Sequence, residues 1–144
     1  MKKYSIISAI CLLALVLVAP RLASAQPSLL TGSYGYEASG SDTSFLIQIS
    51  AAGLLVFDGA GHVIVTDSVN VSGTITRFET YTGTYTVNSQ GIGSLSMHSG
   101  VAGVPANYDF VLVNGGAQII LVGTDQGLGI SGIATKQVTT VPVG

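Results

Sequence analysis

The stretch Thr74-Ile75-Thr76-Arg77-Phe78-Glu79-Thr80-Tyr81-Thr82-Gly83-Thr84-Tyr85-Thr86-Val87 decides the fold. Read with period two, it places Arg77, Glu79, Tyr81, Gly83, Tyr85 and Val87 on one face. Phe78, Thr80, Thr82, Thr84 and Thr86 take the other. A β-strand alternates its side chains between two sides, and β-branched and aromatic residues favour that geometry. The reading is therefore a long strand with one aromatic face and one hydroxyl-bearing face.

The same grammar continues outward in both directions. Upstream, Asn70 to Gly73 turns the chain, and His62 to Val71 is β-rich. Asp58-Gly59-Ala60-Gly61 then joins that run to Leu54–Phe57 as a hairpin, the role to which Asp-Gly pairs are suited. Further back, Ala51-Ala52-Gly53 reads as an interruption and Ser44 to Ser50 alternates with Phe45, Ile47 and Ile49 on one side. Gly40-Ser41-Asp42 reads as a turn, and the first strand carries Tyr34 and Tyr36. Downstream, Asn88 to Gly91 turns into Ile92–His98, and Ser99 to Pro105 is a glycine-containing loop. Asn107–Val113 and Ala117–Thr124 flank Asn114-Gly115-Gly116. Asp125-Gln126-Gly127 turns into Leu128–Lys136.

No stretch sustains a helical period. The expectation is an all-β, antiparallel up-and-down β-barrel of about eight strands, because closing a meander removes its two exposed edges. A two-sheet β-sandwich is the alternative. It calls for long crossovers, and only the 99–105 loop resembles one.

The two ends read differently. Residues 1–25 have the form of a secretory signal peptide: Lys2 and Lys3, an apolar run from Ile6 to Val18, and Ala23-Ser24-Ala25 as the cleavage pattern. Residues 26–137 then form a single domain and 138–144 a tail. A secreted or periplasmic location follows, with no stable membrane insertion after cleavage. Cys11, the only cysteine, lies in the leading segment, so no disulfide is expected in the domain. Beyond residue 25, Arg77 and Lys136 stand against seven acids, a formal net charge of −5. Two cations cannot neutralise a phosphate backbone, which excludes nucleic acid as a partner.

Candidate chemistry is sparse. Arg77 and Glu79 share a face with Tyr81 and Tyr85. If that face points inward, the guanidinium is placed to take the carboxylate of an amphipathic ligand. If it points outward, the pair is an exposed salt bridge worth ~0–1 kcal/mol. Tyr108 and Phe110 share one face of their strand, as lumen lining or as ordinary core. The candidate ligand-binding set is thus Arg77, Glu79, Tyr81, Tyr85, Tyr108 and Phe110. His62 and His98, even with Asp58 or Asp67, lack the spacing of a metal site. No nucleophile elbow is present, and no catalytic residue or cofactor is assigned.

The segments Gly32-x-Tyr34-x-Tyr36, Phe57-Asp58-Gly59-Ala60-Gly61, Tyr81-Thr82-Gly83-Thr84-Tyr85-Thr86-Val87 and Gly129-x-x-Gly132 together give the chain a likeness. It resembles a group of small secreted bacterial proteins whose architecture is similar to the calycin (lipocalin-like) superfamily. Tyr34 stands where lipocalins place the tryptophan of Gly-x-Trp. The resemblance implies a barrel that binds a small hydrophobic or amphipathic molecule, and it implies no reaction. A structural or surface-interaction module with a filled core is the alternative, and a calycin-like cyclase or isomerase the third reading.

Overall fold

The alternation in Thr74–Val87 becomes the longest strand of a closed barrel. The computed structural model describes residues 30–98 and 105–138. The expected signal segment, the loop over 99–104 and the tail beyond 138 lie outside the described residues. Eight strands follow in sequence: β1 (Thr31–Asp42), β2 (Ile47–Asp58), β3 (His62–Val71), β4 (Thr74–Val87), β5 (Ile92–His98), β6 (Pro105–Val113), β7 (Gln118–Gly123) and β8 (Leu128–Lys136). Each pairs antiparallel with the next. β8 returns to β1, with Tyr34 opposite Lys136 and Asp42 opposite Leu128. The fold is the up-and-down barrel, and the sandwich is set aside.

Alternation determines which side chains enter the barrel. Val63, Val65 and Asp67 point inward from β3, as do Leu55 and Phe57 from β2 and Tyr34 and Tyr36 from β1. The outward face is rich in hydroxyls, which pair across strands: Thr66 with Thr80 at 2.9 Å and Thr86 with Ser94 at 3.0 Å. The outward face also carries exposed apolar side chains, among them Ile64, Ile75, Ile120 and Val122.

Three local readings change. Gly40-Ser41-Asp42 is strand, not turn. The turn falls on residues 43–46, where Asp42 Oδ1 accepts the Ser44 N–H at 2.8 Å. Phe45 consequently leaves the strand for the turn. Ala51-Ala52-Gly53 does not interrupt β2. Gly53 is required by a close approach instead, since a Cβ there would lie 2.2 Å from Thr66 O and 2.5 Å from Asp67 Cβ.

The third change is in β4. Asp67 pairs with Glu79 but Val69 pairs with Thr76, so Arg77 and Phe78 together oppose Ser68 in a β-bulge. Phe78 adopts φ 54° and its N–H donates to Ser68 Oγ at 3.3 Å. The face holding Glu79, Tyr81, Gly83 and Tyr85 therefore passes to Thr76 beyond the bulge.

Candidate ligand cavity

One end of the barrel is plugged by its own side chains. Leu30, Tyr34, Phe57 and Tyr85 are buried there. Phe57 meets Tyr34 and Tyr85 edge-on, with ring centroids at 5.5 and 5.1 Å, an arrangement aromatic quadrupoles favour. Each phenol that reaches into this plug finds a carbonyl. Tyr34 donates to Gly116 O at 2.6 Å and Tyr85 to Leu30 O at 2.8 Å. Lys136 Nζ lies 5.8 Å from the Tyr34 ring centroid. Burial is the main cause that pushes both phenols above the usual tyrosine range.

Towards the other end the packing stops. A cavity of about 540 Å³ occupies the upper lumen, walled by apolar side chains such as Leu55, Leu95, Met97, Leu121 and Ile130. That size falls in the range of small-molecule sites, about 300–1,000 Å³. Ser44 and Phe45 from the β1–β2 turn and Asp125 and Gln126 from the β7–β8 turn form its rim. Those turns are tied together, because the Thr43 N–H and hydroxyl both donate to Gly127 O, at 2.8 and 3.0 Å. Asp125 is held by Asn107, whose backbone N–H and side-chain amide donate to it at 2.8 and 2.7 Å.

One carboxyl group is built into the wall. Asp67 is 2% exposed. Tyr36 and Tyr81 both donate their phenol protons to its Oδ2, the latter at 2.5 Å. Asp67 Oδ1 is buried with no hydrogen-bonding partner among the described residues. Burial first, and then the hydrogen bond to Asp67, hold both phenols far above the usual tyrosine range, so they remain donors at physiological pH. Tyr108 also faces this space. Its phenol is raised by burial and then by the negative charges of Asp125 and Asp67.

Of the six residues expected to bind a ligand, the structure brings Tyr81 and Tyr108 to the cavity wall. Tyr85 belongs to the plug, and Phe110 is buried in the core opposite Gly93 and Leu121. Glu79 is half-buried beside Asp67 in register, outside the cavity lining, and Arg77 is exposed on the bulge. Among the described residues the side-chain contact that forms is Asp58 Oδ2 with His62 Nδ1, at 2.9 Å, and not Arg77–Glu79. From the sequence, Asp67 enters only as a possible partner of the histidines in a metal site. A signal was present: in His62–Val71 the positions 63, 65, 67, 69 and 71 read Val, Val, Asp, Val, Val, which puts one carboxylate on an otherwise apolar face.

No protein-family model matches the chain, and no curated protein matches it. Two solved structures are similar to it in fold. A de novo designed fluorescence-activating β-barrel matches with a TM-score of 0.54 at 15% identity, over 77% of this chain and 96% of that one. EF1p2_mFAP2b, solved bound to DFHBI, matches with a TM-score of 0.52 at 13% identity, over 78% of this chain and 98% of that one.

Proposed function

We propose that this chain binds a small hydrophobic or amphipathic molecule in the upper lumen of its barrel. The observation that carries the reading is the cavity of about 540 Å³ standing above a fully packed plug. The same inward-facing alternation packs one half of the barrel and surrounds a cavity in the other, which larger residues at Ala38, Ala51 and Ala106 would fill. EF1p2_mFAP2b, a barrel of the same fold, holds a small molecule, which supports the reading by analogy of fold. Tyr36, Tyr81 and Tyr108 contact the ligand, and its polar end lies at the level of Asp67.

The leading basic and apolar segments and the Ala-Ser-Ala pattern support export, cleavage after Ala25 and a secreted or periplasmic location. Residues 26–137 act as one domain of calycin-like architecture. Native mass spectrometry of the exported protein, purified without detergent, tests both points. The expected result is a mature chain beginning at Gln26 that carries an added mass lost on denaturation. A clean apo mass together with no uptake of the neutral dye Nile red would remove the binding reading.

A surface-interaction module is favoured by a separate observation. Ile92, Val111, Ile120 and Ile133 are in direct register across β5 to β8, on the outside, and 36–53% exposed. Contiguous outward apolar residues mark contact surfaces more often than scattered ones do.

A further inference from the structure

The lumen of this barrel is asymmetric in charge. Asp42, Asp67 and Asp125 line the cavity, and no Lys, Arg or His is among the described residues that do. Both cations beyond residue 25 lie elsewhere: Arg77 on the bulge, and Lys136 against Tyr34 in the plug. Asp42 Oδ1 takes the Ser44 and Phe45 N–H groups of the rim turn, and both oxygens of Asp125 are taken by Asn107 on β6. Asp67 differs, because it is buried and its Oδ1 has no donor among the described residues. Leaving a buried carboxylate oxygen unpaired costs more than leaving a neutral group so, and native proteins rarely tolerate it without a reason. Among the described residues, no three His, Cys, Asp or Glu side chains gather to hold a metal ion.

Resting on the lumen-binding reading above, we infer that the ligand is a cationic amphiphile: an alkyl or aryl ammonium whose charge is paired with the Asp67 carboxylate. Its apolar body lies along Leu55, Leu95, Met97 and Leu121. Tyr36, Tyr81 and Tyr108 stand around the carboxylate and offer ring faces and edges to the positive charge, which aromatic rings attract. Tyr36 and Tyr81 have already committed their protons to Oδ2, so a positive charge in the lumen, and not a further phenol, is what complements this carboxylate. A carboxylate ligand would meet three acids and no cation in the same space.

A matched series tests this: decylammonium, decanol and decanoate, each titrated calorimetrically into the mature protein below its self-association concentration. The expected order is ammonium tightest by about tenfold over the alcohol, as a hydrogen bond to a buried charge implies, with decanoate weakest. Asp67→Asn, nearly the same in shape, brings the ammonium to within about threefold of decanol and leaves decanol unchanged. Nuclear Overhauser contacts from the methylene beside the ammonium to the Tyr36 and Tyr81 rings give a readout in the unaltered chain, should the variant not fold. Equal binding of all three compounds, or a preference for decanoate, overturns the charge selection while leaving lumen binding intact. Failure of all three to bind overturns both.

Discussion

Removing the two phenol oxygens that serve Asp67, singly and together, gives the most demanding test of the lumen's polar cluster. Tyr36→Phe and Tyr81→Phe each keep the ring in place and delete one O–H donor to Oδ2. A hydrogen bond to a charged group is worth about 1.5–3 kcal/mol, so either change alone costs about that much. The pair together is a different matter. It leaves a carboxylate that is 2% exposed, with Oδ1 already unpaired, and with no donor at all. Orphaning a buried charge costs about 3–5 kcal/mol, on top of what the first deletion removed. The double variant therefore loses more than the sum of the singles, with a coupling of at least about 0.5–1 kcal/mol.

Adding Asp67→Leu to the double variant recovers most of the loss, because replacing both sides of a buried polar contact by apolar groups is close to neutral. Urea unfolding measures all four proteins. With a denaturant slope of about 2 kcal/mol/M, each single variant moves the midpoint down by roughly 1 M. Strict additivity with singles below about 0.5 kcal/mol, or no recovery on adding Leu, would refute the assignment of Asp67 as a buried, phenol-dependent charge.

Four further outcomes are expected. Asp58 is held at about 2, chiefly by the His62 and then the Ala60 backbone N–H groups. It therefore stabilises the β2–β3 hairpin above its unfolded value, and that contribution is lost as pH falls from about 4 to about 2. The melting-temperature gap between the wild-type protein and Asp58→Ala should be constant above that window and narrow within it. Gly53→Ala forces a Cβ against the backbone of β3 and should cost about 1–3 kcal/mol in urea unfolding; an unchanged midpoint would contradict the close approach. Tyr85→Phe loses only the bond to Leu30 O, about 0.5–1.5 kcal/mol, whereas Tyr85→Ala opens the plug and costs about 3–5 kcal/mol. Arg77→Ala, on the exposed bulge, should leave both the urea midpoint and decylammonium affinity unchanged, and a marked loss of affinity would bring the guanidinium back into the site.

Strand identity and barrel closure were legible because both rest on local alternation and on turn chemistry carried by neighbouring residues. Asp58-Gly59-Ala60-Gly61 and Asn114-Gly115-Gly116 turn where their sequences say they should. What escaped reading depends on partners distant in the chain. Phe78 is a poor residue for positive φ, so nothing local marks the bulge; it follows from β3 offering one residue, Ser68, to two of β4. That offset moves Arg77 away from the face it shares with Tyr81 under strict alternation. Gly53 reads as a break until the closeness of Asp67 is known. The division of the lumen into plug and cavity is a matter of how eight sets of side chains meet. Tyr85 and Tyr81, four residues apart on one face, fall on opposite sides of it.

The seam between β1 and β8 also sets an order of events in time. Its register joins Tyr34 to Lys136, near the two ends of the domain. Every other pairing joins consecutive strands and can form as the chain lengthens, but this one waits for the last strand. Long-range pairing of this kind raises the contact order and slows folding towards the millisecond-to-second range. Until β8 arrives, β1 and β7 each present a row of unpaired N–H and C=O groups. A chain ending before Leu128 would be held in that open-edged state, prone to pair with a second copy of itself.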